Sequence, residues 1–330
     1  MRVMVTGAAG FIGSNLAGEL LRRGHSVCGL DDLSHGSFLN LAAFAADSRF
    51  TFVQGDIRDE PAVLRASRGC DAIVHLAAHK IPRYTDAYDT LMVNALGSDV
   101  VARVAARRRA KLVAASTSDV YGKNASVPFA EDTDSVIGGP DVKRWAYAVS
   151  KMFEEQLLFA CHERHGIDVV LLRFFGGYGP NQNRSWWGGP QAVFIENALD
   201  RKPLPIHGDG SQTRSFTYVS DHVDGIIAVL ESEHANLVLN LGSTEEISVR
   251  NLARLIWRLV HGDAEPWLEF VPYTDFGKYE DVRRRVPDLT RARSVFGFEP
   301  KVDLETGLRL TIDWQVERRA EDSPRTVAEA

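Results

Sequence analysis

Tyr147 and Lys151 stand four residues apart in Tyr147-Ala148-Val149-Ser150-Lys151, a spacing that puts both side chains on one face of a helix. A neighbouring ammonium favours an ionised phenol, so the pair can act as a general base with its pKa lowered toward neutrality. A second chemistry-bearing run, Ser116-Thr117-Ser118-Asp119-Val120-Tyr121-Gly122, supplies hydroxyls and a carboxylate upstream. A third, Thr6-Gly7-Ala8-Ala9-Gly10-Phe11-Ile12-Gly13, lies between a β-branched run and an amphipathic one. Its glycines permit a tight turn and bring backbone N–H groups close to a pyrophosphate, whose charge a helix N-terminus favours. Asp31-Asp32 ends the next apolar run, at the distance where a carboxylate bonds the adenosine ribose of a dinucleotide. A carboxylate there repels a 2′-phosphate, which selects NAD over NADP.

The elements that must position these residues follow from the patterning. Strands are expected over Arg2–Thr6, Ser26–Leu30, Phe50–Gln54, Ala72–Leu76, Lys111–Ala115 and Asp168–Arg173, with amphipathic helices such as Ser14–Arg23 and Leu91–Arg107 between them. That alternation predicts an α/β chain with a Rossmann-type, doubly wound parallel sheet. Residues 1–173 are expected to form the cofactor domain, with about 213–241 returning to it. Residues 174–330 are expected to form a smaller C-terminal α/β substrate lobe. Residues 176–190, rich in Gly, Asn, Trp and Pro, read as loop. Pro205–Gly210 reads as a hairpin-like piece, and helices are expected over Gln191–Leu199, Val223–Glu231, Val249–Val260 and Leu304–Gln315. The polar tail from about Arg318 reads as disordered.

Composition excludes several classes. With 45% hydrophobic and 25% charged residues, the 330-residue chain matches a globular protein. A net charge of −6 offers no broad basic field, so no nucleic-acid partner is expected. No apolar stretch reaches membrane-spanning length, and no membrane partner is expected. Cys28, Cys70 and Cys161 lack metal-ligand spacing and read as free thiols. No metal is expected, and cytoplasmic residence follows from the thiols and from a strand that starts at residue 2.

Further motifs extend the three runs: Asp56-Ile57 in QGDIRD, Leu76-Ala77-Ala78 in HLAAHK, Arg173 in RFFGGYGP, and GDGSQTRSFTYVSD. Together they resemble the extended short-chain dehydrogenase/reductase family, in its nucleotide-sugar branch, over nearly the whole chain. The resemblance implies that Gly7, Gly10, Phe11, Ile12 and Gly13 surround the NAD pyrophosphate and that Asp31 and Asp32 serve the ribose. It puts Asp56 and Ile57 beside the adenine and Leu76, Ala77 and Ala78 along the path to the nicotinamide ribose, which Lys151 bonds. Tyr147 becomes the base at the sugar 4-hydroxyl, with Thr117 on the sugar oxygen. Pro205–His207 would sit beside the nucleotide base and Arg214 near the pyrophosphate or ribose. The aromatic faces of the Trp186-Trp187-Gly188-Gly189-Pro190 segment suit stacking as a roof over the sugar, and the segment reads equally as a packed loop or an interface. The helices near Leu91–Arg107 and Tyr147–Phe159 would build a homodimer.

A sugar oxidised at C4 has three fates: re-reduction on the other face, loss of water from C6, or, for a uronate, loss of CO2. Dehydratases of the branch carry Asp and then Glu after the threonine; here Ser118 and Asp119 stand there, which disfavours dehydration. UDP-glucuronate decarboxylases carry Thr-Ser-Glu, which Thr117-Ser118-Asp119 resembles with a carboxylate about 1.5 Å shorter. VIGGPDVKRWAYAVSK and FGKYEDVRRRVPDL are similar to the bacterial decarboxylase of the aminoarabinose (lipid A) pathway. That similarity puts Arg285 beside the sugar C5 and carboxylate, a task suited to a guanidinium fork. Lys80, Arg83 and Tyr84 offer a second carboxylate contact. Gly176 departs from the Asn usual after the Arg-aromatic-aromatic run. The shorter Asp119 would let some 4-ketone escape. The expected activity is therefore NAD-dependent decarboxylation of UDP-glucuronate to UDP-4-keto-pentose and UDP-xylose. A nucleotide-sugar 4-epimerase is the alternative, and a non-catalytic NAD-binding regulator the third.

Overall fold

The computed structural model describes residues 1–80 and 86–322. Its first half alternates strand and helix: β1 (Arg2–Thr6), α1 (Phe11–Arg22), β2 (Ser26–Asp31), β3 (Phe50–Gln54), α2 (Glu60–Ala66), β4 (Ala72–His75), α3 (Ala87–Arg108), β5 (Lys111–Thr117), α4 (Trp145–His165) and β6 (Val169–Phe174). Then follow β7 (Gly177–Tyr178), α5 (Pro190–Leu199), β8 (Leu204–His207), β9 (Thr213–Ser215), β10 (Thr217–Tyr218), α6 (Val219–Glu231) and β11 (Leu237–Leu241). The chain ends through β12 (Glu246–Ser248), α7 (Val249–His261), β13 (Leu268–Val271), β14 (Arg284–Arg285), α8 (Thr290–Phe296) and α9 (Leu304–Asp322).

Seven strands form one parallel sheet in the order β11-β6-β5-β4-β1-β2-β3. The chain builds outward from β1 to β3, then crosses to β4 and builds the other way. This reversal opens a crevice at the carboxyl ends of β1 and β4, the place where such sheets take ligands. Both faces of the sheet are covered, which is why its strands are apolar throughout rather than alternating. Val3 and Val5 of β1 pack with Leu16 and Leu20 of α1 and Ile226 of α6. Met4, between them, points the other way into Val101 and Ala105 of α3 and Leu158 of α4.

A separate cluster holds the second lobe: Phe194 and Ile195 of α5, Leu252 and Ile256 of α7, and Leu308 of α9 close over Leu204 and Ile206 of β8. Two expectations are corrected here. Pro205–Gly210 is not hairpin-like, because β8 pairs in parallel with β13, from Leu204↔Leu268 to His207↔Val271. Gly208 and Gly210, both at positive φ, turn the chain away instead of back. The helix of the tail does not stop before Arg318 but runs to Asp322. Arg319 reaches Asp200, and Arg318 pairs with Glu321. Residues 323–330 lie outside the described residues.

Candidate active site

One connected cleft of about 1360 Å³ runs from the crevice of the sheet to the second lobe. Its first half is made of backbone. Gly7 has φ +68°, and a Cβ there would lie 2.9 Å from the Ala77 nitrogen. At Gly13 a Cβ would lie 2.0 Å from the Gly7 carbonyl oxygen, so the first turn of α1 packs directly on the loop before it. Gly10 caps α1 with no side chain, which leaves the helix N–H groups directed at the cleft. Asp31, at the end of β2, accepts hydrogen bonds from Ala9 N at 2.9 Å and Leu33 N at 2.8 Å. Burial raises its pKa against those donors. Asp32 holds Ser34 N at 2.9 Å, and Asp56 is paired with Arg58 at 2.5 Å, which lowers the Asp56 pKa. Phe11, Ile12, Ile57, Leu76, Ala77 and Ala78 line the same half. Leu76 N and Ala77 N donate to Thr6 Oγ1, which also bonds His75 Nδ1 at 2.7 Å. The close-approach glycines, the uncapped helix start and the carboxylate at the end of β2 together fit a dinucleotide.

The reacting end lies where β5 stops and α4 begins. Thr117 Oγ1 accepts from Asp119 N at 3.2 Å and fixes the turn that presents Ser118 and Asp119. Glu155 ties the two elements together: it accepts from Ser116 Oγ at 2.5 Å and from Arg173 at 2.6 and 2.8 Å. Tyr147 and Lys151 share the face of α4 that meets β5, and Lys151 Nζ donates to Ala115 O at 2.8 Å. The protein's own groups push the Tyr147 phenol up, not down. Burial dominates, the Asp119 and Glu154 carboxylates add to it, and only the Thr117 hydroxyl eases ionisation. Lys151 is not among the groups that lower it, and that ammonium is paired with Glu154 at 2.7 Å.

The substrate half is made of long charged side chains. Asp119 lies 3.2 Å from Arg144 and 2.7 Å from Arg285. Despite burial, these guanidiniums hold its pKa down to about 2, with Arg214 contributing. Asp281 lies 3.3 Å from Arg144 and 3.1 Å from Arg214, and accepts from Tyr273 Oη at 2.5 Å. Among the described residues three guanidiniums thus share two carboxylates in ion pairs here. Arg285 Nε is buried with no hydrogen-bond partner among the described residues. Crowding by Arg285 and Arg144, after burial itself, brings Arg214 down to about 10. Lys80 reaches the cleft, and surrounding protein lowers its amine against the opposing pull of Asp119. Arg83 and Tyr84 lie outside the described residues. The departure at Gly176 has a physical cause: φ is +39°, and a Cβ would lie 2.2 Å from Ser215 O.

Trp186 and Trp187 do not form one roof. Trp186 stacks on His207 at 4.3 Å on the second lobe, while Trp187 stacks on His35 at 3.9 Å on the loop after β2. His79, held by Thr90 at 3.0 Å, meets the Trp187 edge. The sequence reading missed Arg144, Glu154, Glu155, Asp281 and His35. Arg144 had a signal, since it precedes Tyr147 by three and so shares its face. Asp281 lies in the FGKYEDVRRRVPDL segment, four residues before Arg285, whereas His35 had no signal, because only the tertiary fold brings it to the cleft. Among the described residues no group of His, Cys, Asp or Glu is arranged to hold a metal, and no helix is long and apolar enough to cross a membrane.

Residues 3–242 match the model of the NAD dependent epimerase/dehydratase family. A UDP-N-acetyl-alpha-D-glucosaminuronate decarboxylase of Bacillus cytotoxicus is 33% identical, over 95% of this chain and 97% of that protein. UDP-glucuronic acid decarboxylase 1 of Xenopus tropicalis is 34% identical, over 95% of this chain and 72% of its own length. Among solved structures, a UDP-glucuronic acid 4-epimerase from Bacillus cereus, in complex with UDP-glucuronic acid and NAD, is similar with a TM-score of 0.87. It is 28% identical, and the match covers 96% of this chain and 100% of that one.

Proposed function

The chain belongs to the NAD dependent epimerase/dehydratase family, and from that premise we propose that it is an NAD-dependent UDP-glucuronate decarboxylase. The observation that carries this reading is the excess of buried guanidinium at the reacting end. Among the described residues Arg144, Arg214 and Arg285 form their ion pairs with Asp119 and Asp281, three cations to two anions, and a uronate carboxylate supplies a further negative charge. Bound NAD supplies the acceptor, and later the donor, of the C4 hydride. Tyr147 Oη takes the proton of the 4-hydroxyl, and the Thr117 hydroxyl holds the same sugar oxygen. The ketone so formed stands β to the carboxylate, so the C5–C6 bond breaks with its electrons delocalised onto the C4 oxygen. Tyr147 and Thr117 stabilise that oxygen by hydrogen bonding. Protonation at C5 from solvent and return of the hydride and the Tyr147 proton give UDP-xylose; escape before that return gives UDP-4-keto-pentose and leaves NADH, so each ketone released consumes one NAD.

Asp119 is held ionised between two arginines and cannot donate a proton to a leaving hydroxyl, which argues against dehydration. A 4-epimerase is the second reading, favoured by the same arginines: tight pairing stabilises a carboxylate and opposes its loss as neutral CO2. Incubation with UDP-glucuronate and NAD separates the two. CO2 and a lighter sugar nucleotide support the decarboxylase, whereas unchanged mass with inverted C4 supports the epimerase. The 2-acetamido uronate belongs in the same assay, because a relative that matches 95% of this chain is a UDP-N-acetyl-alpha-D-glucosaminuronate decarboxylase. A non-catalytic NAD-binding role predicts no product from either.

Residues 1–173 with about 213–241 serve as the cofactor lobe in this reading, and the remainder as the nucleotide-sugar lobe. A homodimer through α3 and α4 is part of it, since Tyr88, Leu91 and Leu96 of α3 and Val149 and Phe153 of α4 are exposed apolar residues on packed neighbours. Sedimentation of wild type against Phe153→Glu tests that. Three free, buried cysteines suit the reducing cytoplasm.

A further inference from the structure

Lys151 is buried, and its ammonium is held by the Ala115 carbonyl and by Glu154 Oε2 at 2.7 Å. Glu154 is buried as deeply, one turn further along α4; burial raises its pKa against the opposing pull of Lys151 and the Ser98 hydroxyl. A carboxylate is costly in such a place. Its effect must therefore be sought in charge.

Other ionisable groups near Tyr147 and Lys151 are already committed. Asp119, from the turn after β5, is paired with Arg144 and Arg285. Glu155, next along α4, is paired with Arg173 and bonded to Ser116. His75, from β4, is neutral, bonded to Thr6 and Ser98. Lys80, from the loop after β4, faces Asp119. Among the described residues, Glu154 is the carboxylate whose ion pair is with Lys151.

An ammonium alone would draw the phenol strongly toward phenolate. An ammonium with a carboxylate at 2.7 Å acts as a dipole, and its field at the phenol is much weaker. A one-way oxidation would be best served by the bare ammonium. A cycle that removes the sugar proton and later restores it needs the same oxygen as base and then as acid.

We propose that Glu154 is a positioning residue which acts through Lys151 to weaken the lysine's pull on Tyr147, so that the phenol can return the sugar proton it has taken. The inference rests on Tyr147 being the base of the proposed reaction. In the first half the 4-hydroxyl proton goes to Tyr147 Oη as the C4 hydride leaves; in the last half both return to the C4 carbonyl.

The test is the Glu154→Gln variant, which keeps the size and loses the charge while Ala115 still holds the ammonium. The acid limb of C4 oxidation should move down by about one pH unit. Released 4-ketone should rise at least about twofold as a share of product. NAD affinity, measured at equilibrium, should be unchanged. Glu154→Asp keeps the charge and should restore the wild-type limb and product ratio; Glu154→Ser is a second neutral variant should the amide fold poorly. An acid limb that is unmoved or moves upward, with Tyr147→Phe inactive, overturns this inference alone. Turnover surviving Tyr147→Phe overturns the base assignment and this inference with it.

Discussion

The two halves of the cleft are built from different materials. The cofactor half uses backbone N–H groups and glycines on one short stretch, Gly7 to Gly13, where an added Cβ meets main-chain atoms. The substrate half uses Asp119, Arg144, Arg214, Asp281 and Arg285, drawn from four separate segments. Backbone recognition tolerates no added volume but depends little on charge. Side-chain recognition tolerates small shifts in shape but depends on the count of charges. A substitution should therefore damage one half and spare the other, and that separation can be broken experimentally.

The largest effect is expected at Gly13. Its Cβ would lie 2.0 Å from a backbone oxygen, so Gly13→Ala should weaken NAD binding about a hundredfold or more by calorimetry. Gly10→Ala, with 3.2 Å to the same Gly7 oxygen, should cost much less. Equal losses would mean that the turn yields and that close approach is not what matters. Next comes Arg144→Met, which strips one guanidinium from both Asp119 and Asp281. The KM for UDP-glucuronate should rise about thirtyfold, as removal of one partner from a buried charged pair costs at least about 2 kcal/mol. NAD affinity should not change; if it falls in parallel, the two halves are not independent.

Trp187→Ala probes the seam between the halves. Losing the ring stacked at 3.9 Å on His35 should speed NAD release about two- to tenfold in stopped-flow measurements, in keeping with about 0.5–1.5 kcal/mol for an aromatic pair. The smallest effect lies outside the cleft. Burial holds His75 down to about 3 and His222 to about 4, the latter against backbone groups of Leu241 and Phe175 that favour its protonation. An unfolded imidazole titrates near about 6.5, so below that pH the unfolded chain binds more protons and stability falls. The loss is at most about 1.4 kcal/mol per pH unit for each residue until the folded values are reached. His222→Leu should make the melting temperature fall about half as steeply between about pH 6.5 and 4.5. An unchanged slope would assign the acid sensitivity elsewhere.

The contrast between the halves also explains what the sequence reading could reach. A glycine turn between strand and helix is local, so Gly7, Gly10, Gly13 and Asp31 are legible from spacing, as is the doubly wound parallel sheet from its alternating runs. Arg144, Tyr147, Lys151 and Glu154 follow at intervals of three, four and three along α4. That stripe was visible, but only its middle pair was read. Asp281 and Arg214 meet Arg144 through ion pairs that no local pattern records. The Trp186-Trp187 pair sends one ring to each lobe, to His207 and to His35, which no local pattern records. Pro205–Gly210 misled for a similar reason: its glycines do turn the chain, but its partner strand, β13, comes only after α7.

The central claim is that the guanidinium excess beside Tyr147 receives a carboxylate which the enzyme then removes. UDP-glucuronate labelled with carbon-13 at C6, incubated with the protein and NAD, tests this most directly by mass spectrometry. The account predicts labelled CO2 together with an unlabelled UDP-pentose or UDP-4-keto-pentose. Label retained in a UDP-hexuronate, whether or not C4 is inverted, would contradict it.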